Sequence, residues 1–140
     1  MTKKSLSVIV SLLLLCCNTS LFAAEEEEEK VKSNPSYVSL GKKPMVLNLS
    51  TDGTRLTFLQ VSADVLVKND DAKEIVEQNI PAIRHKLIVL LSEQKASDMK
   101  TPATREEIRK RATIEIRDMI NEMTNNNDIE EILFSNFLVQ

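Results

Sequence analysis

Between Arg55 and Lys68 the apolar residues recur at every second position: Leu59, Val61, Ala63, Val65 and Val67 share one parity, while Gln60, Ser62, Asp64 and Lys68 share the other. A period of two marks a β-strand with one buried and one solvated face; on a helix the same residues would scatter round the axis. The chain must therefore build a sheet and a layer to cover it. Upstream, Tyr37 to Leu40 and Met45 to Leu49 read as strands on either side of Gly41-Lys-Lys-Pro44, and Ser50-Thr-Asp-Gly53 supplies turn chemistry for a hairpin into the alternating run.

The period then lengthens. Asn69-Asp70-Asp71 has the side chains of a helix cap, and Ile75, Val76, Ile80, Ile83, Leu87, Leu90 and Leu91 follow at spacings of three and four. This predicts an amphipathic helix of about six turns. Pro81 removes one backbone donor inside it, which either bends the helix or divides it into two pieces. A loop over Gln94 to Pro102 leads to a second helix, where Thr104-Arg-Glu-Glu107 has the form of a capping box and Ile108, Ala112, Ile116, Met119, Ile120 and Met123 form the buried stripe. Asn125-Asn126-Asn127 ends that helix, and Ile129 to Val139 reads as a last strand. Its apolar residues occupy both parities, Phe134 and Leu138 against Leu133, Phe137 and Val139, so it is expected at the centre of the sheet or covered on its second face. The fold class is α+β, in the order strand-strand-helix-helix-strand, with a small mixed or antiparallel sheet and both amphipathic helices on one face.

Ahead of this domain, Met1-Thr-Lys-Lys precedes an apolar stretch from Leu6 to Cys17, the polar Asn18-Thr19-Ser20, and Leu21-Phe22-Ala23-Ala24. A basic start, a short apolar run and small residues before a charged boundary compose a secretory signal peptide. Residues 1–24 are read as that signal or as a retained membrane anchor. Cleavage is preferred because Asn18, Thr19 and Ser20 sit poorly at the far end of a span. A third reading makes Cys16 or Cys17 a lipidated terminus. All three put the rest of the chain outside the cytoplasm. Residues 25–36, opening with Glu25 to Glu29, repel themselves and lack apolar periodicity, as an extended acidic spacer does. Residues 37–140 form the domain.

Charge and composition exclude several functions. Of 18 basic and 21 acidic residues, setting aside Lys3, Lys4 and Glu25 to Glu29 leaves 16 of each from Lys30 onward. A balanced domain has no general pull on phosphate backbones, so no nucleic-acid partner is expected. Both cysteines precede the domain, which leaves it no thiol for a disulfide, metal or redox centre. His85 is the only histidine and falls between Arg84 and Lys86 on the polar side of the first helix, where it reads as a solvated residue. With Gly41 and Gly53 alone, no phosphate-cradling loop or nucleophile elbow can form, and Asp52 and Asp70-Asp71 are accounted for by turn and cap duties. No nucleophile, base and oxyanion donors can be assembled, so the chain is expected not to be an enzyme and to use no cofactor or metal. On the second helix, Glu106 to Lys110 and Glu107 to Arg111 are favourable i,i+4 pairs, and the interleaved signs suit edge-on contact with a neighbour. Arg84, Lys86, Arg105 and Arg109 are the candidate partner contacts.

Over Tyr37 to Gln140 the chain resembles the flagellar basal-body-associated protein FliL family. The resemblance is carried by Tyr-Val-Ser-Leu40, Met-Val-Leu-Asn-Leu49, Arg-Leu-Thr-Phe-Leu-Gln-Val61, Asn79-Ile-Pro-Ala-Ile-Arg84, Thr101-Pro-Ala-Thr-Arg-Glu-Glu-Ile-Arg109 and the closing Ile132-Leu-Phe-Ser-Asn-Phe-Leu-Val-Gln140. It departs from the family pattern in having almost no tail before the apolar run, and in Thr104, where Gly often opens the second helix. The resemblance implies a periplasmic domain similar to the stomatin and prohibitin fold. It further implies a homo-oligomeric ring around flagellar stator proteins at the inner membrane and basal body, supporting rotation, swarming and chemotactic motility. The competing expectation is a periplasmic binding or chaperone-like module unrelated to motility, distinguished by whether neighbouring genes encode motor parts.

Overall fold

The computed structural model describes residues 34–51, 53 and 55–140. The signal or anchor expected at residues 1–24 and the acidic spacer as far as residue 33 lie outside these. The alternating run forms the longest strand of the hairpin, β3 (Thr57–Val67), after β1 (Ser36–Ser39) and β2 (Met45–Leu49). Three α-helices follow, α1 (Asp70–Gln78), α2 (Ile80–Ser92) and α3 (Pro102–Thr124), and then β4 (Ile129–Val139).

β3 is the axis of a wholly antiparallel sheet. β1 pairs with its later half, Ser36 to Val67 through Ser39 to Asp64, and β2 with its earlier half, Met45 to Val61 through Leu49 to Thr57. Both lie on the same side of β3, so β1 and β2 are one strand line interrupted by Gly41–Pro44. Gly41 takes φ +131, a conformation closed to most side chains, and a Cβ there would stand 3.1 Å from Arg84 Nη1. Arg84 donates from α2 to the carbonyls of Leu40 (2.8 Å) and Lys43 (3.4 Å), which fixes the loop against the helix layer.

Along β3 the residues with odd numbers from Leu59 to Val67 are all buried, as the alternation predicts. They join Ile83, Leu87 and Leu91 of α2 and Ile108, Ala112, Ile116 and Ile120 of α3 in one aliphatic core. Among the described residues no helix lies over the opposite face of β3, so these residues form two layers.

Pro81 divides the first predicted helix rather than bending it. Asn79 closes α1, its amide donating to Ile75 and Val76 carbonyls, and Pro81 then sits in the first turn of α2, where a missing donor does no harm. At the other end of α1, the Asn69 side chain accepts from the Ala72 amide at 2.8 Å, the expected cap.

Three expectations are corrected. The cap of α3 is Thr101, whose hydroxyl accepts from the Thr104 amide (3.4 Å), and not Thr104; Pro102 takes the first helical position, so the helix begins one turn before the expected box. Met123, placed in the buried stripe, is 56% exposed; the line that α3 buries runs Ile108, Ala112, Ile116, Ile120, and Met123 lies off it. The last strand is an edge strand, paired among the described residues with β3 alone. Register shifts between Ser62 and Ala63 and between Leu66 and Val67 insert extra residues in β4, so Ile129, Ile132, Phe134, Phe137 and Val139 all oppose core-facing β3 residues. What reads as apolar residues on both faces is mostly one face, kinked twice.

Candidate functional site

No helix among the described residues is long and apolar enough to cross a membrane, and no group of three or more His, Cys, Asp or Glu side chains converges among them. His85 is exposed on α2. The features able to engage another molecule are surfaces: the seam between α3 and β4, and the helix-free face of the sheet.

The seam is built by a four-residue spacing on α3 that brings Arg109, Thr113 and Arg117 to the free edge of β4. Thr113 Oγ1 accepts from the Ile132 amide (3.0 Å) and donates to the Arg109 carbonyl (3.0 Å). Arg117 donates to the carbonyls of Ile129 (2.8 Å) and Glu130 (2.7 Å), and Arg109 to that of Ile132 (3.3 Å). An exposed strand edge is a template for unwanted pairing; here the first part of β4 is closed by helix side chains. Among the described residues, no side chain of α3 bonds the β4 backbone beyond Ile132.

Past that point lies a groove of about 320 Å³, lined by Pro102, Arg105, Glu106 and Arg109 of α3 and Leu133, Phe134 and Phe137 of β4. The two rings pack with centroids 5.5 Å apart, and the Arg105 guanidinium lies 5.0 Å over Phe137. Arg105 also donates to the carbonyls of Met99 (2.8 Å) and Lys100 (3.4 Å), and no carboxylate of the described residues is within ion-pair distance of it. Arg109 is different. It holds both oxygens of Glu106 at 2.7 Å and also meets Glu131. These hydrogen bonds hold the Glu106 carboxyl down at about 2 and push the Arg109 guanidinium above its usual range.

The helix-free face carries the even-numbered residues of β3 and their partners. In one row Val46 and Leu138 flank Gln60, with Phe58 one pleat along; Tyr37 opposes Leu66 at the far end. Val46 is 62% exposed, Leu138 48%, Phe58 40% and Tyr37 65%. Adjacent strands are about 4.8 Å apart and a two-residue step is about 7 Å, so Phe58 lies diagonally across from both Val46 and Leu138, with Gln60 between those two.

Residues 37–140 match the family described as flagellar basal body-associated protein FliL. The chain belongs to the FliL family. A relative from Aquifex aeolicus (strain VF5), named flagellar protein FliL, is 25% identical over 97 residues, covering 69% of this chain and 57% of that relative. The match thus spans less than two thirds of the relative's length. Membership makes the domain a flagellar basal-body-associated one.

Within this FliL-family domain the four predicted contact residues divide. Arg84 is bonded to the β1–β2 loop, and Lys86 reaches Glu115 of α3 at 3.0 Å, so both hold the helix layer together. Arg105 and Arg109 come together in the groove, with Arg105 the one that lacks a carboxylate. Thr113 and Arg117 are missing from the predicted set although their spacing from Arg109 is visible in the sequence; the signal pairs them with a strand edge only once the strand is known to be peripheral. Phe134 and Phe137 are missing because the bulge at Ser135 conceals that they share a face.

Proposed function

We propose that this chain is a non-enzymatic accessory of the flagellar motor. It works in the periplasm at the inner membrane, self-associates as a ring around stator units, and supports rotation, swarming and chemotactic motility through a domain akin to the stomatin and prohibitin type. The observation that carries this reading is the exposure of Val46, Phe58 and Leu138 at neighbouring positions of a sheet face that no helix of the described residues covers. Antiparallel sheets tolerate one solvated face, but such a face is ordinarily polar. Large apolar side chains grouped on one exposed face, unlike ones scattered singly, mark sites of association. Family membership supplies the basal-body setting. Arg105 and Arg109 on the seam are secondary contacts in this reading, while Arg84 and Lys86 act by holding the scaffold.

The test pairs chemistry with motility. The full chain is cross-linked in cells, and a deletion strain is complemented with wild type or with the double variant Val46→Asp, Leu138→Asp. Loss of cross-linked oligomers and a smaller swarm for the double variant are expected. A wild-type chain that stays monomeric and captures no periplasmic segment of a stator protein, in a deletion strain that swims and swarms normally, would refute the proposal.

A further inference from the structure

The edge of β4 is closed over only part of its length, and the change is abrupt. Up to Ile132, every outward bond to α3 is made by Arg109, Thr113 or Arg117. From Leu133 to Val139 the strand pairs with β3 on one side and, among the described residues, with no other strand on the other. Gln140 and Phe58 exchange both backbone bonds (2.7 and 3.0 Å), so Leu138 and Asn136 also point their amides and carbonyls inward, and Phe137 and Val139 point theirs outward. Beside this open half lies the groove, apolar through Pro102, Phe134 and Phe137 and cationic through Arg105.

We propose that the open half of the β4 edge, Leu133 to Val139, receives an extended acidic segment of a partner protein as an added strand. An apolar side chain of that segment fills the groove and a neighbouring carboxylate pairs with Arg105. Each part of the site specifies one part of the ligand. The unpaired amides and carbonyls of Phe137 and Val139, beyond the bulge at Ser135, select an extended backbone. The two rings and Pro102 select an apolar side chain. Arg105 is half-buried, is positioned by Met99, Lys100 and the Phe137 ring, and lacks a carboxylate, so it selects an acid. A second copy of this chain fits less well: edge-to-edge pairing about a two-fold axis would bring two Arg105 side chains to one seam, with Glu106 already engaged by Arg109. The proposal stands apart from the helix-free face, and either can fail without the other.

The test uses the full ¹⁵N-labelled chain and an end-blocked synthetic heptapeptide that alternates valine and threonine and carries one glutamate. Titration should shift the amides of Leu133 to Val139. Arg105→Gln should weaken the glutamate peptide roughly tenfold, the scale of one charge-assisted hydrogen bond, and leave a glutamine version within about twofold. Methylating alternate peptide nitrogens should weaken binding by roughly tenfold or more in one of the two possible phases, because only one edge of the peptide meets β4. Absence of shifts at millimolar peptide, shifts centred on Val46 and Phe58, indifference to methylation in both phases, or equal loss for both peptides in Arg105→Gln would each overturn it. Shifts at Leu133 to Val139 that grow with chain concentration alone would assign the edge to a second copy. Shifts there that appear only when residues 1–33 are removed would assign it to the chain's own leading segment.

Discussion

Replacing Thr113 by valine isolates what the α3–β4 seam contributes to the fold. Thr113 is 8% exposed and Ile132 fully buried, so the bond from the Ile132 amide to Thr113 Oγ1 is shielded from water. Valine keeps the shape and the branch but offers no acceptor. The Arg109 carbonyl loses only a second partner, since the helix ladder already serves it, whereas the Ile132 amide is left without one. Stranding a buried donor costs about 1–3 kcal/mol, and at roughly 4 °C per kcal/mol for a domain of this size the melting temperature should fall by roughly 4–12 °C. Thr113→Ser is the control: it keeps the oxygen and gives up one methyl, worth about 0.8 kcal/mol. Thermal unfolding followed by circular dichroism gives the loss, and hydrogen exchange at the Ile132 amide gives its cause. Exchange should speed up in the valine variant and stay slow in the serine variant. A valine variant that melts with wild type and keeps the Ile132 amide protected would show that the hydroxyl does not hold the edge.

Three further outcomes are expected. Glu106 is held at about 2 against an ordinary 4.5, chiefly by hydrogen bonds from Arg109, so its contribution to stability is complete above 4.5 and is lost as pH falls toward 2; Glu106→Gln should flatten the fall in melting temperature across that window, and parallel curves would contradict this. Asn125 closes α3 at φ 55 and ψ 25, a left-handed conformation that glycine adopts without strain, so Asn125→Gly should raise stability by about 0.5–1 kcal/mol in urea unfolding, and a loss would indicate a role for the side chain beyond the turn. Asn69→Ala removes the cap of α1 and the 3.0 Å bond to Asp128, and should lower stability by about 1–2 kcal/mol; Asn69→Asp should recover only part, because it restores the cap but faces Asp128 with like charge.

Much of the architecture was legible because it is written locally. The period of β3, the Asn69 cap and the Asn125 stop each depend on a few adjacent residues, and each is where its chemistry places it. The failures share a different origin. Whether β4 bulges is decided by how it meets β3, and one inserted residue, Ser135, puts Phe134 and Phe137 together on the core side of a strand whose alternation looked ambiguous. Thr101 and Thr104 offer the same side chain, and the choice between them falls to Pro102, which suits the first position of a helix better than the residue outside it. The candidate contacts show the limit most clearly. Arg84 and Lys86 are cations on the surface of an amphipathic helix, and nothing nearby in sequence reveals that Leu40, Lys43 and Glu115 will be waiting for them.

The interrupted strand line has a mechanical consequence. Tension reaching the domain through the chain before Ser36 meets β1 first, and β1 holds β3 through only four paired positions. Gly41 to Pro44, pinned to α2 by Arg84, separates it from β2, so detaching β1 loads that clamp before the five pairs beyond. The sheet would then yield in two stages, β1 first and β2 only after the Arg84 clamp gives way, and a brief tug that peels the first segment lets it reseat while the aliphatic core stays closed.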